Sequence, residues 1–336
     1  MFFLHSYLPA VIFCVITMLC WGSWANTQKL AGRYWRFELF YWDYAIGVLL
    51  LSAIFALTLG SIGTEGRSFI ADICQAKGAN VSSAIIGGVV FNLSNILLVA
   101  AIDIAGMAVA FPVGVGLALV IGVFKNYADN PVGNAPILFT GVAVVVLAII
   151  LDAVAYRRLG SGSSGGTKGL ILSIAAGVLM GFFYPFVAAS MDLNNFASPE
   201  VGKLTPYTAV FFFSVGLFLS NFVFNTLAMK FPFSGEKVPI REYFKGSFGV
   251  HLTGVLGGII WNIGMSFSII ASGQAGPAIS YGLGQGATMV AALWGVFVWK
   301  EFAQAPKGTG KLLTAMFASF VIGLAFIIYA RTVVSG

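Results

Sequence analysis

Charged residues are scarce in this chain. Asp, Glu, Lys and Arg together make up 9% of its 336 residues, whereas 59% are hydrophobic. A soluble protein of this length needs more polar side chains to cover its surface in water. The composition therefore excludes a soluble domain and indicates a protein whose solvent is lipid. It also excludes nucleic-acid binding, because no segment supplies a basic domain.

Residues that build metal sites, disulfides and catalytic centres are also few. The chain has two histidines and three cysteines, and Cys14, Cys20 and Cys74 show no paired spacing. We therefore expect neither a disulfide nor a metal site. No nucleophile stands beside a base, and the glycine-rich run at 282–286 lacks the GKS/T ending of a phosphate loop. These absences argue against an enzyme and a bound cofactor, and they exclude ATP-driven transport unless a separate subunit supplies the ATPase.

What the chain does contain is a series of long apolar runs. A helix needs roughly 20 mostly apolar residues to cross a bilayer, and continuous runs favour helices over the alternating strands of a barrel. The first run lacks the basic start of a signal peptide, so it counts as a span. The predicted fold class is an all-α polytopic membrane protein with ten transmembrane helices, at 7–29, 38–60, 81–102, 106–125, 135–156, 168–191, 205–229, 247–272, 276–299 and 311–331.

A stretch rich in Gly and Ser, residues 159–168, separates the fifth predicted helix from the sixth. Such a composition is typical of a flexible linker. The sequence therefore predicts a first five-helix repeat at 1–158 and a second at 169–336.

The two halves share sequence patterns. GGVVFN at 87–92 recurs as GGIIWN at 257–262, and GMAVAF at 106–111 recurs as GPAISY at 276–281. Because each half holds an odd number of helices, the second must enter the membrane from the opposite side. This is the inverted-repeat plan of secondary transporters, which places a solute site between the halves near the middle of the membrane.

The basic residues predict the orientation. Thirteen of the 18 Lys and Arg residues lie in loops that follow odd-numbered helices, and five lie on the other side. By the positive-inside rule, both termini are expected on the non-cytoplasmic side.

Asp43, in the run FYWDYAIG, is the one acidic residue placed clearly inside a predicted span. A carboxylate inside lipid costs on the order of 3 kcal/mol on insertion scales, so it is expected to be paired or used. As a functional group it would carry a coupling proton, since burial favours the neutral acid. In the alternative interpretation, Asp43 lies shallow and pairs with Lys29 or Arg36 near the headgroups. The sequence leaves both interpretations open.

Amide side chains inside the spans are candidates for a solute site. Asn92 and Asn95 lie three residues apart and share one face of the third predicted helix, and Asn262 repeats Asn92 in the eighth. Amides in this position either hydrogen-bond a polar solute or join neighbouring helices. A structural role at the repeat axis is at least as well supported as ligand contact for Asn92 and Asn262.

The remaining pocket candidates are aromatic or amide side chains, most of them at helical spacing: Trp21, Trp24, Gln28, Tyr184, Tyr207, Tyr281 and Gln285. Aromatic platforms flanked by amides suit flat heterocycles or the apolar faces of sugars. The alternatives are an aromatic belt at the membrane surface and hydrogen bonds between helices.

Several longer stretches, in the same order along the chain, carry a family resemblance: WGSWANTQKLAGR at 21–33, WDYAIG at 42–47, GGVVFNLSN at 87–95, IGVFKNYADN at 121–130, GVLMGFFYPF at 177–186 and YTAVFFFSVGLF at 207–218. They resemble the ureide permeases, which belong with the bacterial glucose and ribose porters to the drug/metabolite transporter (DMT) superfamily. The resemblance implies a 5+5 inverted arrangement, alternating access and proton-coupled uptake of neutral polar solutes. It supports Asp43, because the family's second helix begins with a similar Asp-Tyr pair. Plant members carry a nucleotide-motif-bearing central loop, which the short linker 159–168 replaces here.

We therefore predict a secondary active transporter, a proton-coupled importer of a small neutral solute. That solute would be a ureide or nucleobase such as allantoin or uracil, or a monosaccharide such as ribose. The expected partners are the solute, protons and membrane lipid, in the bacterial cytoplasmic membrane. The alternative is a drug or metabolite exporter of the same fold, which would prefer a wide apolar cavity and a lone carboxylate.

Overall fold

The computed structural model describes residues 1–31, 35–105, 107–159, 166–233 and 235–333. Within these ranges the regular structure is helical, apart from one isolated bridge between Met191 and Leu204. Residues 160–165 of the predicted linker lie outside the described ranges.

The described α-helices follow one another along the chain: α1 (Tyr7–Ser23), α2 (Ala25–Ala31), α3 (Phe37–Leu57), α4 (Phe69–Gln75), α5 (Gly78–Ala105), α6 (Met107–Ala110), α7 (Gly116–Asp129), α8 (Ala135–Arg158), α9 (Gly166–Ala189), α10 (Pro206–Lys230), α11 (Phe248–Ala275), α12 (Pro277–Gly284), α13 (Ala287–Leu293) and α14 (Thr309–Thr332). Two π-helical turns, Phe111–Val115 and Trp294–Val298, and one 3₁₀ turn, Ile240–Lys245, lie between them.

Among the described residues, nine helices are long and apolar enough to cross a membrane. Each of them coincides with one of the predicted segments. The remaining predicted segment, 106–125, corresponds to α6, the first π-helical turn and α7, which follow one another from Met107 to Asp129. The prediction of an all-α polytopic membrane protein is confirmed.

Two of the predicted spans, 106–125 and 276–299, correspond to helical stretches that are interrupted in their interior. α6 passes through a π-helical turn into α7, and this turn contains Pro112, which has no backbone N–H to donate. α12 ends at Gly284 and α13 begins at Ala287, so Gln285 lies in a break. Interrupted helices are where transporters commonly place their binding sites, because irregular backbone is tolerated in lipid only beside protein or a cavity.

Glycines allow two pairs of helices to approach until their backbones touch. A Cβ atom added to Gly258 of α11 would lie 2.0 Å from the carbonyl oxygen of Tyr44 in α3. A Cβ atom added to Gly88 of α5 would lie 1.9 Å from the carbonyl oxygen of Phe213 in α10. Real Cβ atoms do not come this close to another atom, so both positions require glycine.

The same two helix pairs make a second, reciprocal contact. A Cβ atom on Gly47 of α3 would lie 2.1 Å from the carbonyl oxygen of Val255, and one on Gly216 of α10 would lie 2.2 Å from that of Ile85. The α3–α11 pair of helices is therefore packed in the same way as the α10–α5 pair. Close contact between small residues is a main source of helix association in lipid.

Candidate functional site

A cavity of about 320 Å³ lies among the membrane helices. Helices from both sides of the predicted linker supply its walls, among them α1, α2 and α5 from before it and α9, α11 and α13 from after it. The described residues that line it are Trp21, Gly22, Trp24, Ala25, Gln28, Phe91, Asn95, Leu98, Val99, Ile102, Val115, Met180, Phe183, Trp261, Gln285, Ala287, Thr288 and Ala291. None of these residues is charged, so the cavity offers aromatic, aliphatic and amide surface.

Trp261 of α11 lies at the centre of the cavity's aromatic side chains. Its ring is 4.4 Å from that of Phe91 and is stacked on Trp21 and Phe213, each at 5.9 Å between centroids. The indole N–H of Trp21 donates to the carbonyl oxygen of Trp261 at 3.2 Å. These contacts hold the aromatic rings in fixed positions, so they form a preformed apolar surface.

Three primary amides reach the cavity from three different elements. Gln28 comes from α2, Asn95 from α5 and Gln285 from the break between α12 and α13. The amide of Asn95 donates to the hydroxyl of Tyr41 at 3.2 Å, which fixes its orientation. The backbone oxygen of Gln285 accepts from the hydroxyl of Thr288 at 3.0 Å. Each amide can donate and accept hydrogen bonds, so together they can surround a neutral polar molecule.

The structure places two of the predicted asparagines outside the described cavity lining. The amide of Asn92 donates to the hydroxyl of Ser220 in α10 at 2.9 Å. The amide of Asn262 donates to the carbonyl oxygen of Val48 in α3 at 2.9 Å. Both side chains are buried and each joins two helices, next to the glycine contacts described above.

The three predicted tyrosines also lie outside the described lining. The hydroxyl of Tyr184 donates to the carbonyl oxygen of Ser268 at 3.1 Å, and that of Tyr281 donates to the carbonyl oxygen of Met180 at 3.1 Å. Both rings are fully buried. The Tyr207 hydroxyl donates to a backbone oxygen near the N-terminus, at Phe2, at 2.8 Å. All three hydroxyls therefore bond to the protein's own backbone.

Asp43 of α3 is buried and has two side-chain partners that were not predicted. The hydroxyl of Tyr243, in the 3₁₀ turn, donates to its Oδ1 at 2.5 Å, and Nδ1 of His251 in α11 lies 2.8 Å from its Oδ2. Burial and the neighbouring Asp43 raise the pKa of Tyr243 far above its usual range, so its hydroxyl keeps its proton. His251 lies 208 residues from Asp43 in sequence, which is why spacing did not reveal the pair.

The shallow alternative for Asp43 required Lys29 or Arg36 as its partner. Arg36 instead contacts Glu38 at 2.5 Å, and Lys29 contacts Glu301 at 2.7 Å. Both cations therefore have other acidic partners, and Asp43 is 2% exposed.

Two further carboxylates are buried: Asp72 of α4, which pairs with Arg67 at 2.9 Å, and Asp152 of α8, at 5% exposure. Glu301 lies near enough to interact with it electrostatically, and the hydroxyl of Tyr156 donates to Oε2 of Glu301 at 3.0 Å. Asp43 is therefore not the one buried carboxylate of the membrane-length helices, since Asp152 is also buried in the last two turns of α8. From the sequence alone we interpret Asp152 as part of a solvated or interfacial pair with Arg157 and Arg158, because it lies near the end of its predicted helix.

Metal ligands do not gather anywhere in the described part of the chain. No group of three or more His, Cys, Asp or Glu side chains there has the geometry to hold a metal ion. Asp43 and His251 supply only two of the side chains that a metal site needs. The side chains of Tyr243 and Trp35 lie beside this pair, and the ring of Trp35 meets that of His251 edge-on at 5.2 Å.

The chain is similar to transport proteins of known family over almost its whole length. The family model "Ureide permease" matches residues 40–162 and 162–330, two stretches that meet inside the predicted linker. Ureide permease 1 of Arabidopsis thaliana is 24% identical, with 97% of each chain covered. Ureide permease 2 of the same plant is 26% identical over 97% of this chain and 98% of its own. Probable ureide permease A3 of Vigna unguiculata is 24% identical over 86% of this chain and 94% of its own.

One solved crystal structure has the same fold. It covers 98% of this chain and 100% of its own, with a TM-score of 0.61 and 19% identity. This likeness concerns the fold alone. The sequence relatives are permeases, which are transporters and not enzymes, and the family model spans most of the chain. This chain therefore belongs to the ureide permease family.

Proposed function

We propose that this protein is a secondary active transporter that imports a small neutral solute, a ureide or a nucleobase, together with protons. The observation that carries the proposal is the uncharged cavity with its aromatic surface and three amides. A charged solute would need an opposite charge in such a water-poor site, whereas a neutral one needs hydrogen bonds. The names of the relatives favour ureides within this class.

The chemistry of the lining fits a flat molecule with alternating N–H and C=O groups. Trp21, Trp24 and Trp261 offer flat apolar faces, and Gln28 and Asn95 offer both donors and acceptors. Uracil and the hydantoin ring of allantoin each present N–H and C=O groups in one plane, so their edges can bond to amides while a face lies on an aromatic ring. A monosaccharide such as ribose could use the same groups less fully, because it has no C=O group in a closed ring.

Alternating access would follow from two inverted five-helix repeats, 1–158 and 169–336, joined by the linker 159–168, with ten spans in all. The matching packing of α3–α11 and α10–α5 supports this plan, since exchanging the halves exchanges the two contacts. The lining also extends from Trp261 in the middle of α11 towards Gln28 and Ile102, at one end of the bundle. In the proposed orientation, with the basic loops in the cytoplasm, the cavity would open towards that side.

Asp43 is the proposed carrier of the coupling proton, with His251 and Tyr243 as its partners. α3 links this carboxyl group to the cavity through two rings beside it in sequence. Tyr41 accepts a hydrogen bond from Asn95, and the ring of Tyr44 lies 4.9 Å from that of Trp24. A change in the position of α3 on protonation would therefore reach two cavity residues.

Binding of allantoin or uracil to the purified protein tests the proposed solute class. We expect these compounds and xanthine to raise the melting temperature, and ribose, glucose and rhamnose to leave it unchanged, because a ligand of the folded state stabilises it by mass action. A shift with the sugars alone would replace the ureide by a monosaccharide. No shift with any of the six would contradict the proposal of a neutral solute.

Asn95→Leu should weaken binding of the stabilising compound about 10- to 100-fold, because it leaves the solute's polar group unpaired in the cavity. Titration by isothermal calorimetry measures this loss. Asn221→Leu makes the same change in α10, where the side chain is buried outside the described lining. Equal affinity in the two variants would remove Asn95 from the site.

Asn262→Ala should lower the stability of the protein and leave its affinity for the solute unchanged, the opposite of what we expect for Asn95→Leu. Loss of its bond to Val48 is expected to lower the free energy of unfolding by about 1 kcal/mol, which is typical of a hydrogen bond between membrane helices. The affinity for the solute should stay as in the unaltered protein. A weaker affinity without a change in melting temperature would instead make Asn262 a solute ligand.

A further inference from the structure

A second cavity lies on the outside of the helix bundle and shares no described lining residue with the first. This groove has a volume of about 520 Å³ between α3, α10 and the 3₁₀ turn. It is lined by Trp42, Ile46, Phe218, Phe222, Thr226, Met229, Lys230, Val238, Pro239, Ile240, Tyr243 and Phe244. Lys230 is the one charged residue of this described lining.

The groove runs along α10 from Phe218 to Lys230. The twelve residue steps from Phe218 to Lys230 span about 18 Å at about 1.5 Å per step. One leaflet of a bilayer with a hydrocarbon core of about 30 Å is about 15 Å deep. The groove therefore has the length of one acyl chain, with its charged end where a lipid headgroup would lie.

The segment that closes the groove has the features of a chain lying at a membrane surface. Ile240 and Phe244, four residues apart, are 52% and 78% exposed, and both line the groove. The segment is held to the bundle by a bond from the backbone N–H of Val238 to the carbonyl oxygen of Met229, at 3.1 Å. Apolar side chains beside basic residues at a helix end are typical of a surface that binds anionic lipid.

The charge around the groove is positive. Lys230 is exposed at the end of α10, and Lys237, Arg241 and Lys245 follow within the same loop. Glu236 and Glu242 of the same loop offset two of these four positive charges, and Glu242 contacts Lys245 at 2.8 Å and Arg241 at 3.6 Å. The charge pattern of the loops places this end of the bundle in the cytoplasm, where bilayer leaflets carry anionic lipid.

We propose that this groove binds one anionic phospholipid, with an acyl chain between α3 and α10 and its phosphate on Lys230. An exposed apolar surface by itself indicates only that a face of the protein contacts lipid, not that it binds one particular lipid molecule. A concave apolar channel of leaflet depth that ends in a lysine selects one lipid molecule by length and by charge. The bound lipid would also hold the 3₁₀ turn in place, and with it the Tyr243 hydroxyl that donates to Asp43.

The experiment compares the purified protein in detergent with added dioleoyl phosphatidylglycerol and dioleoyl phosphatidylcholine. We expect the anionic lipid to raise the melting temperature more than the zwitterionic one, and native mass spectrometry to find it retained. Soluble glycerol 3-phosphate, which has the phosphate without acyl chains, should give no shift. An equal shift with both lipids, or a shift with glycerol 3-phosphate, would overturn the proposal.

Variants assign the effect to the groove. Lys230→Gln should abolish the preference for the anionic lipid, and Thr226→Trp, which fills the groove, should abolish retention of the lipid. Lys307→Gln removes a cation from another loop at the same end and should keep both effects. If Thr226→Trp does not give a monodisperse protein, Ile46→Trp fills the groove from the facing helix. A preference that survives both Lys230→Gln and a filling variant would contradict the assignment.

Discussion

Asp43→Asn should abolish the accumulation of solute that a proton gradient drives. One proton moving down a gradient of one pH unit supplies about 1.4 kcal/mol, enough for about a tenfold accumulation. Asparagine cannot take up or release that proton, so the ratio of inside to outside solute should fall from about ten to one. Uptake of labelled solute into proteoliposomes with an acidic outside measures this ratio.

The same variant should keep its affinity for the solute, because Asp43 lies outside the described cavity lining. Exchange of solute across the membrane without a pH gradient should therefore continue. Asp129→Asn, which alters an acidic residue paired with Lys125 at the end of α7, is the matched control. Accumulation by Asp43→Asn that still follows the pH gradient would show that another group carries the proton, and the buried Asp152 would be the next to change.

Gly258→Ala should destabilise the protein by about 3 kcal/mol, near the upper end of what overpacking costs. The added Cβ would lie 2.0 Å from the carbonyl oxygen of Tyr44, and neither backbone can yield without separating α3 from α11. Gly88→Ala should have a similar effect, through α5 and α10. Thermal unfolding in detergent, followed by circular dichroism and by monodisperse elution, measures the loss.

Two other glycines of the same helices provide the controls. Gly249 of α11 and Gly78 of α5 have no neighbouring atom within 4 Å of an added Cβ. Their changes to alanine should leave the melting temperature unchanged or raise it slightly, since alanine reduces the freedom of the unfolded chain. If Gly258→Ala and Gly249→Ala melted at the same temperature, close backbone contact would not be what holds these helices together.

Much of the fold could be predicted because a bilayer restricts the choice of structure. Apolar runs of sufficient length must be helices, and their positions agree with the described helices within a few residues. α4 and the 3₁₀ turn Ile240–Lys245 were not predicted, because they lie in loops and are too short to give an apolar signal. Of the two, the 3₁₀ turn matters more for the site, because it brings Tyr243 to Asp43.

The site could be predicted only in part. Helical spacing shows which side chains share one face of a helix, but it does not show whether that face contacts a cavity, another helix or lipid. Trp21, Trp24 and Gln28 do line the cavity, and their common face was evident in the sequence. Trp261 was overlooked although it stands directly before the repeated Asn262. In that motif the aromatic residue faces the cavity and the amide faces a neighbouring helix. Two consecutive residues of an α-helix point about 100° apart, so they can contact different neighbours.

The distribution of tryptophan makes the protein an optical reporter of its own ligands. Of the seven tryptophans, Trp21, Trp24 and Trp261 line the central cavity, and Trp42 lines the groove on the outer face. A solute that replaces water beside the three central indoles changes their emission, whereas a lipid changes that of Trp42. Trp42→Phe removes the indole of the groove, so a change in emission that solute still causes in this variant, but that lipid no longer causes, would be assigned to the first cavity without any attached dye.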